Sequence, residues 1–354
     1  MDSICVFDPQ GVPQQLAAQL GEGGEGAVYR LQVRPDVAVK VYHPDVLARH
    51  GVALRGKIEA QVALFQHIPA LQQLPLAWPR LSVFNEAGEW VGYAMKAAEG
   101  VPLKKLAHPV LQKQVFPGLT RRQITRRLIS LLGTIEVLHQ YRIFVGDINL
   151  NNFLTEPGKD DTVWLIDCDS MQVFDEQGRH FPCRVGVAEF TAPEHQKQSF
   201  DTVVRTAESD VYSLAILVFQ CFMLGRHPFD QIDGGTPVQN MRKGHFPYGK
   251  TGIRPGMPGG IPPGPWYLQW SWLSFKLKNA LCVTFREGGL QPTQRPRVRD
   301  WLKLLKEYEY SISNGLGGLC DELRPPLPKS QAGISQTAPG LSNSRPVFST
   351  PFPI

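Results

Sequence analysis

The chain has 354 residues, 42% of them hydrophobic and 19% charged, with a formal net charge of +5, which suits a soluble globular protein of one large or two medium domains. The basic residues are spread out, with no Lys/Arg tract and no zinc-finger spacing, so direct recognition of nucleic acid is not expected. Cys5, Cys168, Cys183, Cys221, Cys282 and Cys320 form no Cys-x-x-Cys pair, no signal peptide is evident, and the longest apolar run, 211–224, is too short to span a bilayer; a cytoplasmic protein with free thiols and no membrane insertion is expected.

In chain order, 27–33 and 37–42 are short β-rich runs around an Arg34-Pro35-Asp36 turn, and read as a hairpin. Apolar residues at helical spacing follow between Val46 and His67 (Leu54, Ile58, Val62, Phe65). A second hairpin is expected from 81–84 and 90–95. The β-rich part, with its one helix, ends near residue 96. Helical pattern then dominates: 121–141, 210–224, 272–283 and 298–310. Short strand-like pieces at 144–145, 153–154 and 163–166 interrupt it. The Gly/Pro-rich stretch 249–265 reads as an irregular insertion. The Pro-, Ser-, Gly- and Gln-rich stretch 311–354 reads as a disordered tail.

Chemistry-bearing residues recur along this scaffold. Gly21-Glu22-Gly23-Gly24-Glu25-Gly26 precedes a strand, whereas a dinucleotide-binding glycine motif opens a helix. A glycine-rich hairpin can lie over phosphates because no Cβ keeps its backbone away. Lys40 lies in an apolar strand, where a buried ammonium needs a partner; Glu59 on the following helix is the expected one, leaving Lys40 to bind phosphate oxygens. Asp147 and Asn152 share an asparagine-rich loop, and Asp167 follows the apolar run 163–166. A loop carboxylate can take a hydroxyl proton, while an amide oxygen and a strand-end carboxylate suit Mg²⁺ on phosphates.

In this order the motifs closely resemble those of the eukaryotic-like protein kinases over roughly residues 15–310. The resemblance implies an α+β, bilobal fold, with a small β-rich N-lobe at about 15–96, a larger helical C-lobe at about 97–310, and an N-terminal extension at 1–14. It implies ATP and Mg²⁺ as cofactors, with Mn²⁺ as an alternative, and a protein as substrate. By the same resemblance Gly21, Gly23 and Gly26 match the glycine-rich loop, which also holds Glu22 and Gly24. Lys40 and Glu59 match the lysine–glutamate pair, Asp147 the catalytic aspartate, and Asn152 and Asp167 the metal ligands. Val28, Ala38 and Leu154 would neighbour the adenine, Met95 would be the gatekeeper and Lys96–Ala98 the hinge. Ala192-Pro193-Glu194 matches the end of the activation segment, with Arg295 pairing Glu194 and Asp210 on the central helix.

Asp167-Cys168-Asp169, Phe181-Pro182-Cys183 and Gly225-Arg226-His227-Pro228-Phe229 are similar to a bacterial subgroup of that family. It is often associated with a PP2C-type phosphatase and a von Willebrand A-domain protein, which are the partners implied. The expected activity is phosphorylation of protein Ser/Thr; a nucleotide-binding pseudokinase scaffold and a small-molecule kinase are the alternatives.

Four departures from the family pattern stand out. Val145-Gly146 replaces the usual His-Arg, so activation-segment phosphorylation is not expected to be the switch. Asn149 and Val187 replace a lysine and a threonine beside the acceptor hydroxyl. Cys168 and Asp169 replace Phe-Gly, which leaves the segment less backbone freedom. Asp169 reads as a metal-site carboxylate or a surface one.

Overall fold

The computed structural model describes residues 4–249, 252–253, 261–263 and 267–323. Its first part is a closed barrel with strand order β1-β2-β3-β4-β6-β5. The strands are β1 (Cys5–Phe7), β2 (Pro13–Glu22), β3 (Gly26–Leu31), β4 (Val37–Tyr42), β5 (Leu81–Phe84) and β6 (Trp90–Lys96). β1 closes the barrel by pairing with β2 and, through Phe7 opposite Phe84, with β5. An extension ending at residue 14 would therefore cut through the sheet. Closure through the single Phe7–Phe84 pair covers only part of the edge that β2 and β5 would otherwise present.

Period-2 alternation gives β4 two different faces. Val39 joins Val6, Leu16, Leu31 and Val83 in one cluster. Ala38 and Tyr42 join Tyr93 and Met95 in another, against Val46 and Ile58 of α1 (Pro44–His67). Lys40, between Ala38 and Tyr42 in the alternation, lies on that second face.

The remainder is mainly helical: α2 (Arg121–Gln140), α3 (Ala207–Phe222), α4 (Phe275–Phe285) and α5 (Val298–Ser313). Thr120 with Gln123 opens α2 and Thr206 with Ser209 opens α3, each by a reciprocal capping box. α3 is buried from Ser209 to Phe222, so its apolar run is a core helix, begun three residues before Asp210. A three-stranded sheet, β7 (Val101–Pro102), β8 (Phe153–Thr155) and β9 (Trp164–Leu165), flanks the acidic loops. The piece expected at 144–145 makes only a single bridge, Phe144 to Gln172.

The tail differs from expectation at its start. α5 runs to Ser313, and 321–323 dock on the first turn of α2. There Arg121 Nε donates to the Glu322 carbonyl at 3.0 Å, and Arg121 N donates to the Asp321 carbonyl at 2.9 Å. Side-chain anchoring of a polar stretch leaves no periodic trace in a sequence. Residues 324–354, and most of 249–265, lie outside the described residues; at the start of the latter, Tyr248–Gly249 pairs with Gly252–Ile253.

Candidate active site

The glycine-rich hairpin joins β2 to β3, closed by Gly23 N donating to the Gly26 carbonyl at 2.9 Å. Gly26 is a packing glycine: a Cβ there would meet the Val41 carbonyl oxygen at 2.3 Å. Gly23 and Gly24 have open space where a Cβ would stand, so they leave the backbone accessible to a ligand. Beneath the hairpin is a cavity of about 340 Å³. Gly21, Glu22, Gly23, Gly24, Gly26, Val28, Lys40, Asp147 and Asp167 line it, with Glu25, Ile166, Asp169, Ser170 and Val185. Most of the expected site residues thus meet in one place.

Glu59 does not meet them. It is exposed on α1 and accepts from Arg55 Nε at 2.7 Å, an i,i+4 pair. Lys40 Nζ donates instead to Asp169 Oδ2 at 2.6 Å, and the Tyr42 hydroxyl donates to the same oxygen at 2.7 Å. Asp169 is therefore neither a surface carboxylate nor turned outward. Burial works against both charges. The Asp169 and Asp167 carboxylates nevertheless hold Lys40 above its ordinary pKa, and Lys40 with its hydrogen bonds holds Asp169 below its own. Glu25 is a looser second neighbour of Lys40, at 3.7 Å.

The face of α1 that turns inward carries Gln61 and Lys57. Gln61 Nε2 donates to the Cys168 carbonyl at 2.7 Å. Lys57 Nζ donates to the carbonyls of Ser170 and Pro182, both at 2.9 Å, and burial lowers its pKa to about 8.

Asp167 adopts a left-handed conformation (φ 54°) that turns the chain into the short helical turn Cys168–Ser170. Its carboxylate faces the cleft. Desolvation raises its pKa, with Lys40 opposing and the Asp169 and Asp147 charges adding to the rise. Asn152 Nδ2 donates to the Asp147 carbonyl at 2.9 Å and to Asp147 Oδ2 at 3.0 Å, which leaves its Oδ1 as an acceptor. Asn149 Nδ2 donates to Asp147 Oδ1 at 3.1 Å, and Asn149 Oδ1 accepts from Asn151 N at 3.0 Å. Asn149, which replaces the lysine of the resembled pattern, thus orients the Asp147 carboxylate. Asn149 and Val187 line a second cavity of about 490 Å³, together with Phe190 and Gln220.

The loop bearing Asp147 hangs from the central helix. Val145 N and Gly146 N donate to Asp210 Oδ2 and Oδ1 at 2.8 and 3.0 Å, and His139 Nε2 lies 3.0 Å from Oδ2. Arg295 is buried, with Nη1 and Nη2 on the two Glu194 oxygens at 2.6 and 2.8 Å. Arg205, which motif reading missed, donates from Nη2 to the Val185 carbonyl at 3.1 Å. At the apolar end, Ala38, Met95 and Ala97 share one cluster, with Val28, Ala98 and Ile166 packed on it. Lys96 stacks over Trp164, and Leu154 pairs with Trp164 across β8 and β9.

ATP with Mg²⁺ passes a test of charge at this site. Among the described residues lining the cavity, Lys40 is the one cation and faces the carboxylates of Glu22, Glu25, Asp147, Asp167 and Asp169, so a polyphosphate is favoured only with its own cation. Among the described residues no three His, Cys, Asp or Glu side chains converge as a metal cage. Mg²⁺ seldom needs one, because it is held by one or two carboxylates and by substrate phosphates.

A family model described as protein kinase domain matches residues 15–254. The chain is 29% identical over 313 residues to protein kinase YegI of Escherichia coli (strain K12), covering 86% of this chain and 46% of that protein. It is 28% identical over 219 residues to serine/threonine-protein kinase pkn2 of Myxococcus xanthus, covering 60% of this chain and 24% of that protein. The chain thus spans less than half the length of the curated relatives it matches.

Proposed function

The chain belongs to the protein kinase family, and we propose that it transfers the γ-phosphate of ATP to Ser or Thr of a protein, with Mg²⁺. The observation that carries this reading is the convergence of the glycine hairpin, Lys40, Asp147 and Asp167 on one cavity, with Asn152 bonded to Asp147. In this reading the β-rich part to about residue 96 and the helical part to about residue 310 are the two lobes. Val28, Ala38 and Met95 make the apolar adenine site, with Lys96–Ala98 as hinge and Leu154 as its floor.

Asn152 Oδ1 and Asp167 would hold Mg²⁺, which would offset the negative charge of the phosphates. Lys40 holds phosphate oxygens through its ammonium. Asp147, fixed by Asn149 and Asn152, takes the acceptor hydroxyl's proton as the oxygen–phosphorus bond forms and the bond to the ADP oxygen breaks. The acceptor side chain enters beside Asn149 and Val187, where the second cavity opens. The Asp-Cys-Asp subgroup, a cytoplasmic location, and a PP2C-type phosphatase and von Willebrand A-domain protein as partners belong to the same proposal.

Purified protein with labelled ATP and Mg²⁺ tests it, offered a protein acceptor and a set of small metabolites in parallel. Label on protein supports the reading, and label on metabolites alone favours a small-molecule kinase. Nucleotide-dependent thermal stabilisation without transfer would mark a pseudokinase scaffold.

A further inference from the structure

Lys40 and Asp169 are both nearly sealed from solvent, with side-chain exposures of 9% and 3%. A buried ammonium with no partner turns out to water, which takes the cation away from a bound phosphate. The group that holds Lys40 inward is therefore part of the nucleotide site even without touching nucleotide. Asp169 is that group by distance, at 2.6 Å, and the Tyr42 hydroxyl on the same oxygen fixes its orientation.

The position of Asp169 in the chain gives this pairing a consequence. Asp169 sits two residues beyond Asp167, inside the turn Cys168–Ser170, so one short turn carries both the cleft-facing carboxylate and the lysine anchor. α1 offers Lys40 no carboxylate, because its Asp45 and Glu59 are both exposed and engaged with Arg49 and Arg55. α1 is instead bonded to the same segment through Gln61 and Lys57.

We propose that Asp169 is the positioning residue for Lys40, holding the ammonium at the phosphate site from the metal-bearing segment in place of any carboxylate on α1. The inference rests on the nucleotide-binding reading above.

The test is a double-mutant cycle on binding of ADP with Mg²⁺, measured by calorimetry, with KM and kcat for ATP alongside. Asp169→Asn is expected to weaken ADP binding about tenfold and to raise KM for ATP alike, with Asp169→Glu recovering part of the loss. In a Lys40→Met background Asp169→Asn is expected to add less than about twofold, because it acts through the missing lysine. Glu59→Gln stays within about twofold of the parent, as expected for an exposed pair. Effects of Lys40→Met and Asp169→Asn that multiply, or wild-type binding by Asp169→Asn, overturn the proposal.

Should Asp169→Asn fail to fold, Tyr42→Phe and Glu59→Gln decide. Weaker binding by Tyr42→Phe with binding by Glu59→Gln unchanged supports the proposal; unchanged binding by Tyr42→Phe, or a loss with Glu59→Gln as large as that with Tyr42→Phe, overturns it. Wild-type protein that binds no ADP with Mg²⁺ overturns the nucleotide reading and this inference together. Normal wild-type binding that ignores Asp169 overturns the inference alone.

Discussion

Cys183 fills the space beside the α-carbon of Gly146. A Cβ on Gly146 would stand 2.7 Å from the Cys183 Sγ and 2.8 Å from its Cβ, and Gly146 has φ +72°. The arginine common at this position in the family has no room here. Gly146→Ala combines left-handed strain with that clash, so a loss of about 1–3 kcal/mol is expected. Melting should fall by several degrees, and Cys183→Gly in the same chain should restore part of it. A Gly146→Ala protein that melts like the parent contradicts this packing.

The segment from Asp167 to Glu194 is held by side chains on its backbone carbonyls. Between Asp167 and Glu194 the only Ser, Thr or Tyr residues are Ser170 and Thr191. Ser170 Oγ donates to the Asp167 carbonyl, and the buried Thr191 donates to the Val187 carbonyl. Lys57 and Arg205 grip backbone carbonyls at Ser170, Pro182 and Val185. Phosphatase treatment and Ser170→Ala are accordingly expected to leave the transfer rate within about twofold, whereas Arg205→Met should lower it about tenfold or more by loosening the segment. Phosphatase-sensitive activity would overturn this account.

The Glu194–Arg295 pair was readable from motif order because a bidentate carboxylate–guanidinium bond fixes both residue types. Lys40 was readable too, since a lysine in an apolar strand needs a role. Glu59 was not, because distance from the lysine says nothing of helix phase. α1 begins at Pro44, and its phase puts Ile58 and Gln61 inward and Glu59 outward. Arg55, four residues before Glu59, was the available signal for a surface pair. Asp169 was ambiguous because two carboxylates flanking one cysteine look alike until the left-handed Asp167 turns them apart. The closing strand β1 is three residues long, too short to carry a period.

Asp210 should separate loop position from nucleotide binding. Its carboxylate satisfies two backbone N–H groups next to Asp147, and Asp210→Asn can turn only one oxygen to them. Leaving a buried donor unpaired costs about 1–3 kcal/mol and shifts the loop. A fall in kcat of about tenfold to a hundredfold is expected, with ADP affinity within about threefold of the parent. Equal losses in both would place Asp210 at the nucleotide instead.

Thiol reactivity should follow burial. Burial raises the thiols of Cys168, Cys183 and Cys221, the last to about 12, and Cys282 is also buried, whereas Cys5 and Cys320 are partly exposed. Because a reagent must reach the sulfur, Cys5 and Cys320 should react fast with a disulfide reagent at pH 8 and the other four only on unfolding. Rapid reaction of Cys183 in the native protein would contradict its place against Gly146.

Phosphoryl transfer itself is tested most directly by mass spectrometry of the protein and an added protein acceptor after incubation with ATP and Mg²⁺. Wild type is compared with Asp147→Ala. The account predicts phosphoserine or phosphothreonine in the wild-type reaction and a loss of about a hundredfold or more with Asp147→Ala. Phosphate incorporation that survives Asp147→Ala unchanged, or none from wild-type protein that binds ATP, would contradict it.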